Sequence, residues 1–260
     1  MRRHVQILTI LAALAAPCGV AQAQTLNAAK IDSVNKAADS FVALAKDSSN
    51  TGQPPRYSDA AVKPLLDAVL NTKDIEGGKP LPWPAVELLQ NWNSAMLKIG
   101  RVYYLAGTGT TDVLEVAKDT QKIIKANSNT AAFAPEFGRY YDAQIRLHAA
   151  MINAALAQME VATSEEKNDP AFKKTLNSIS DSTTKAIAGV LGTFVLDGMP
   201  TDWLLLRVVL LLDITPKAAK FMEPNDRQQV RNAAVEIAEQ VKNPDVKSGV
   251  NAIARAFALL

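Results

Sequence analysis

The chemistry available to this chain rests on a few polar side chains set where apolar ones belong. His148, the only histidine after His4, falls at the centre of an apolar helical face. Gln144 lies one turn before it, Tyr141 two turns before, and Arg139 on the wet side of the same segment. Tyr103 is central on the apolar face of another helix. Arg207 interrupts the run Trp203 to Leu212, W-L-L-L-R-V-V-L-L-L, with no acid three or four residues away on either side. An imidazole can move protons and a guanidinium can hold an anion. His148 with Arg207 or Arg139 would therefore suit an enzyme acting on an anionic substrate. Without chemistry, the same residues describe a polar-floored pocket between helices, or separate core side chains with Arg207 reaching an edge. A buried guanidinium left alone costs several kcal/mol, so Arg207 calls for a partner on another element, and an internal carboxylate is the expected one.

Other chemistries are missing from the text of the chain. One histidine after the first four residues excludes multi-histidine metal sites and the H-E-x-x-H hydrolases. No G-x-S-x-G elbow, Walker loop or dinucleotide fingerprint is present, so neither a metal nor a cofactor is expected. The 26 acids leave a two-carboxylate site open. Gly107-Thr108-Gly109-Thr110-Thr111-Asp112 hints at a phosphate-binding turn, but no strand precedes it. A C-terminal glycine followed by a capping threonine explains it more simply.

Met1 to Ala23 has the three parts of a secretory signal. Arg2 and Arg3 lead, Ile7 to Ala16 is apolar, and Ala21-Gln22-Ala23 is a small-x-small cleavage site. Cleavage would leave residues 24–260 as one helical domain, located in the periplasm. Pro17 stands before Cys18 where lipidation needs a small residue, so a soluble product is expected. The only cysteine would leave with the signal, and with it any intramolecular disulfide. Removing Arg2 and Arg3 turns 28 basic against 26 acidic residues into 26 against 26. That balance argues against a nucleic-acid or anionic-membrane binder, which needs a basic excess. No later segment has the ~20 apolar residues a membrane span requires.

Helices must position the polar residues. Apolar residues recur at helical spacing in Leu26–Lys46, Ser58–Leu70, Ala85–Ala106, Val113–Ala126, Pro135–Thr163 and Asp169–Val195. The run Trp203–Leu212 follows, then a short helix from Thr215-Pro216 through Met222, and two more stripes separated by Asn243-Pro244. Ser178 to Thr184 is poor in helix formers and predicts a bend or break. Asp142 and Arg146 are spaced for an i,i+4 pair, and Gly100 for a close neighbour. Pro80-Leu81-Pro82-Trp83-Pro84 reads as an extended connector. Gly100-Arg101-Val102-Tyr103-Tyr104 and Gly138-Arg139-Tyr140-Tyr141 echo one another without a longer repeat. The expected fold is all-α, a single globular bundle of about nine antiparallel helices. Trp203 to Leu212, apolar on nine of ten residues, is placed at its centre because such a helix has no side to turn to water.

The sequence thus predicts an exported, non-catalytic binding or scaffold protein. It would hold a small ligand between helices or present a helix face to an envelope protein. The alternative is an envelope enzyme built on His148. A third possibility is an assembly factor whose apolar helix faces meet another protein.

Overall fold

A computed structural model describes residues 26–76, 79–196 and 199–258; the expected signal segment lies outside them. Twelve α-helices form, and no strand occurs among the described residues. In chain order they are α1 (Ala28–Leu44), α2 (Ser48–Thr51), α3 (Lys63–Leu70), α4 (Ala85–Tyr104), α5 (Val113–Val116), α6 (Thr120–Ala132), α7 (Ala134–Val161), α8 (Ser164–Asn168), α9 (Pro170–Gly192), α10 (Thr201–Ala218), α11 (Pro224–Gln240) and α12 (Pro244–Ala258). Three of them, α2, α5 and α8, are single turns, which leaves nine of useful length. The all-α bundle read from the sequence is the fold of the chain.

Local capping explains where several helices begin. Asn27 accepts from the Lys30 amide at the start of α1. Asp119 accepts from the Gln121 and Lys122 amides, and this cap divides the expected Val113–Ala126 helix into α5 and α6. Thr163 and Glu166 form a reciprocal capping box on α8. Asp169 caps α9 ahead of Pro170.

The organising helix is α7, not α10. Fifteen of its 28 residues are buried, and they face two cores. Phe137, Tyr140, Ala143, Leu147 and Met151 join the core made with α1, α3 and α4. Ala134, Ile145 and Ile152 join the one made with α9 to α12. Small residues let neighbours approach closely. A methyl group on Gly100 would lie 2.8 Å from the Tyr140 ring, so the glycine of α4 does admit α7.

Helix α10 differs from its expected place. It forms, but Leu206 is 43% exposed and Val209 63%. Its buried side, with Leu204, Val208 and Leu211, packs on the second core. The leucine run is continuous through the helical turn, while the bundle covers only one face of it. The expected new helix at Thr215-Pro216 also does not separate, since α10 runs on to Ala218 with Pro216 inside its last turn.

The expected break in α9 is absent. Thr184 Oγ1 donates to the Ser180 carbonyl at 2.9 Å and Ser182 Oγ to that of Ile179 at 3.1 Å. Ser180 also donates to Asp226 of α11 at 2.6 Å. The polar run is an interhelical surface whose hydroxyls find partners, so poor helix propensity is overridden by packing.

Candidate functional site

The six polar residues do not meet in one place. Tyr103 is 1% exposed, among Phe41, Phe133 and Phe137, and its hydroxyl donates to the Pro55 carbonyl at 2.8 Å. Burial raises its phenol above the ordinary value. His148 is 1% exposed, with Nδ1 3.2 Å from Thr183 Oγ1 of α9. Its Nε2 has no partner, and burial pulls the imidazole down to about 4. It is therefore neutral at pH 7 and closed off from solvent. Gln144 is buried beside Tyr140, whose phenol it lowers against the larger opposing effect of burial. Tyr141 stacks on Phe137 at 5.8 Å and is pushed up to about 12 by burial, with Arg207 opposing.

The remaining two, Arg139 and Arg207, are tied to a cleft of about 510 Å³ between α3, the turn at Lys73–Ile75 and α7. Its polar lining includes Tyr57, Asp67, Lys73, Glu76, Arg139, Asp142 and Arg146. Arg139, Asp142 and Arg146 share one helical face at i, i+3 and i+7, so α7 alone supplies a stripe of alternating charge. The opposite wall is fixed by Glu136. Buried in the first turn of α7, it accepts from the Tyr57 amide at 3.1 Å and from Arg56 at 3.3 Å. That carboxylate also suits the positive helix end. It holds Tyr57 where the Arg139 guanidinium stacks 3.8 Å from the ring centre.

Two of the three lining acids are already neutralised. Asp67 accepts from the Tyr57 hydroxyl and from Lys63, each at 2.6 Å. Glu76 accepts from Arg146 and from Thr72, each at 2.6 Å. The i,i+4 pair expected between Asp142 and Arg146 does not form; each turns to another element. Arg139 and Lys73 have no ion pair with a described residue. The cleft therefore presents two cations outside any such ion pair, with Asp142, the third lining acid, left to share the field of Arg139.

Beneath it sits Arg207, with a fully buried side chain. Its partner is Asp142, Nε to Oδ1 at 3.4 Å, so the expected interhelical carboxylate is present on α7. The geometry is poor. Neither Asp142 Oδ1 nor any of the three guanidinium nitrogens makes a hydrogen bond with a described residue. Trp203 covers the guanidinium at 5.6 Å. Gly138 makes room for both, since a methyl group there would lie 2.8 Å from the indole and 3.1 Å from Arg207 Nη2. Burial raises the Asp142 carboxyl despite Arg207, Arg146 and Arg139 nearby. Burial likewise lowers Arg207, against Asp142 and Tyr141. Asp142 keeps 30% of its side-chain surface open and lines the cleft, so it links the buried cation to the cleft floor.

Sequence reasoning read Asp142 only as an i,i+4 partner of Arg146, and passed over Glu76, Asp67, Lys73 and Tyr57. The legible signal was the Arg139-Asp142-Arg146 stripe; the opposite wall comes from loops whose approach no periodicity records. Among the described residues no cluster of His, Cys, Asp or Glu could hold a metal ion. No family model, curated protein or solved structure matches the chain.

Proposed function

We propose that this chain is an exported helical binding protein that holds a small anionic ligand in the cleft between α3 and α7. The observation that supports the reading best is that Arg139 and Lys73 have no ion pair with a described residue, while two of the three lining acids, Asp67 and Glu76, are bonded to Lys63 and Arg146. A carboxylate, phosphate or sulfate would meet a guanidinium whose orientation is set by Tyr57, a preorganised donor rather than a free one. The role is binding rather than catalysis, because His148 lies in a core contact with Thr183 and does not line the cleft. Thermal melts of the purified protein with small carboxylates, phosphate and sulfate test this. At least one should raise the melting temperature of the wild type and leave an Arg139→Glu/Lys73→Glu variant unmoved. If every anion shifts both proteins alike, the cleft is not a binding site.

Export belongs to the same proposal. The signal would be cut after Ala23, giving a mature protein that starts at Gln24 and lies in the periplasm. Edman sequencing of protein isolated from its own cells checks it, and a retained Met1 or an acylated Cys18 would refute it. Among the described residues no helix is long and apolar enough to cross a membrane.

One observation favours a second reading, a helix face offered to a protein partner. On α10, Leu206 and Val209 are exposed, with half-buried Leu205 and Leu212 on the same side. Adjacent apolar exposure of this kind marks contact surfaces. Leu206→Lys/Val209→Lys should abolish any self-association or co-purifying envelope protein while leaving the melting temperature unchanged. Unaltered association would exclude this face.

A further inference from the structure

A second cleft, remote in sequence from the first, lies where the C-terminal ends of α1 and α4 meet the loops after them. It has a volume of about 390 Å³. Val42, Ala45, Val102 and Leu105 provide apolar walls, and Lys46, Lys98 and Arg101 surround them. Asp39 is the one acid in the lining, and it is bonded to Lys98 at 2.5 Å. Lys46 and Arg101 have no ion pair with a described residue.

The cleft also contains Ser48 and Ser49, only 5% and 8% exposed. Their carbonyls are used: that of Ser48 accepts from the Gly107 amide at 2.9 Å and that of Ser49 from the Gly109 amide at 2.7 Å. These bonds lock the α2 turn against the Gly107–Asp112 loop. The two hydroxyls, by contrast, make no hydrogen bond with a described residue, and neither oxygen is closed off from solvent. Both can therefore donate to an acceptor that enters the cleft. The glycine-threonine loop is spent on structure instead, because Thr108 donates to the Leu105 carbonyl and Thr110 to Glu115.

We propose that this cleft binds an amphiphilic anion, a carboxylate carrying a hydrocarbon chain. The headgroup would take hydrogen bonds from Ser48 and Ser49 and the charge of Lys46 and Arg101, while the chain lies on Val42, Val102 and Leu105. The helix C-termini oppose an anion through their partial negative charge. That effect is confined to the last turn, and two full unpaired cations outweigh it. A small inorganic anion would leave the apolar walls wet, and a cationic amphiphile would meet Lys46 and Arg101. A membrane surface is a poorer match, because the serines are barely exposed within a concavity that a flat bilayer would not enter.

Calorimetric titration of octanoate into the purified full-length protein tests the site. Saturable binding is expected, with octylamine and acetate binding at least roughly tenfold more weakly. Lys46→Glu/Arg101→Glu, both on the surface, should melt like the wild type and lose binding by at least roughly tenfold. Ser48→Ala/Ser49→Ala should weaken it several-fold, a readout that a merely greasy groove would not give. The proposal fails if octanoate does not saturate, if octylamine binds equally, or if the charge-reversed protein keeps wild-type affinity. Binding to anionic vesicles without binding to free octanoate would assign the cleft to a membrane and overturn it too.

Discussion

Arg207 and Asp142 form an unequal pair, and the inequality has a direction. Arg207 is fully buried whereas Asp142 keeps 30% of its side chain open. Removing the acid strands a buried cation, and Asp142→Ala should cost about 3 kcal/mol. Removing the cation leaves an acid that can still reach water, and a buried ion pair with unmet hydrogen bonds is often no better than an apolar filling. Arg207→Met should thus hold stability within about 1 kcal/mol or gain it. Urea unfolding of the two variants decides the matter; equal losses would mean that the pair is better bonded than its 3.4 Å contact implies. From the sequence alone Arg207 was legible as a problem, because a charge inside an apolar run must be neutralised. Its partner was not legible, since Asp142 sits on α7 at a position that reads as solvent-facing.

His148 carries a pH signature of its own. Burial holds the imidazole at about 4 against an ordinary 6.5. Between those values the unfolded chain binds the proton and the folded one does not, so stability falls as pH drops through the window. The span corresponds to about 3 kcal/mol, fully present above pH 6.5 and lost by about pH 4. His148→Gln should remove this part of the acid sensitivity, read as a smaller loss of urea midpoint between pH 7 and pH 4.5 than in the wild type. Identical losses would show that the imidazole reaches solvent. Its neighbour Thr183 was the unread half of this contact. In the sequence the Ser178–Thr184 run looked like a helix defect, whereas it is the polar lining that His148 and Asp226 need.

At the scale of elements, periodicity located the long helices because each buries a stripe, and it failed where a stripe does not decide the environment. The apolar girdle of α10 contains no information about which side a neighbour covers. The Ala-rich α7, with Gly138 near its start, looked like an ordinary amphipathic helix. Its two-sided burial depends on small residues that count little on a hydropathy pattern. The last helix is the opposite case. Val246, Val250, Ile253 and Phe257 mark one face in the sequence, and all four are buried against the second core. Ending the chain after Val241 would uncover the sides of α10 and α11 that pack on α12, Val208 among them. The shortened protein should aggregate or melt well below the full chain, by more than ~10 °C. An unchanged melting temperature would show that α12 is not part of the core.

For the whole molecule, two cores share α7, and the charged cleft opens beside that shared helix, where a loop wall meets it. The overall class was legible because helix formers, caps and periodicity agree over most of the chain. The cleft was not, because it is made between elements, from ordinary surface residues whose only distinction is which of them remain unpaired. The central claim is that these spare charges hold a small anion. Native mass spectrometry of protein isolated from its own cells, followed by spectra of the same sample after denaturation, tests it directly. Wild-type protein should carry a small anionic mass that denaturation releases, and the Arg139→Glu/Lys73→Glu variant should carry none. The same added mass on wild type and variant, or none on the wild type, would contradict the account.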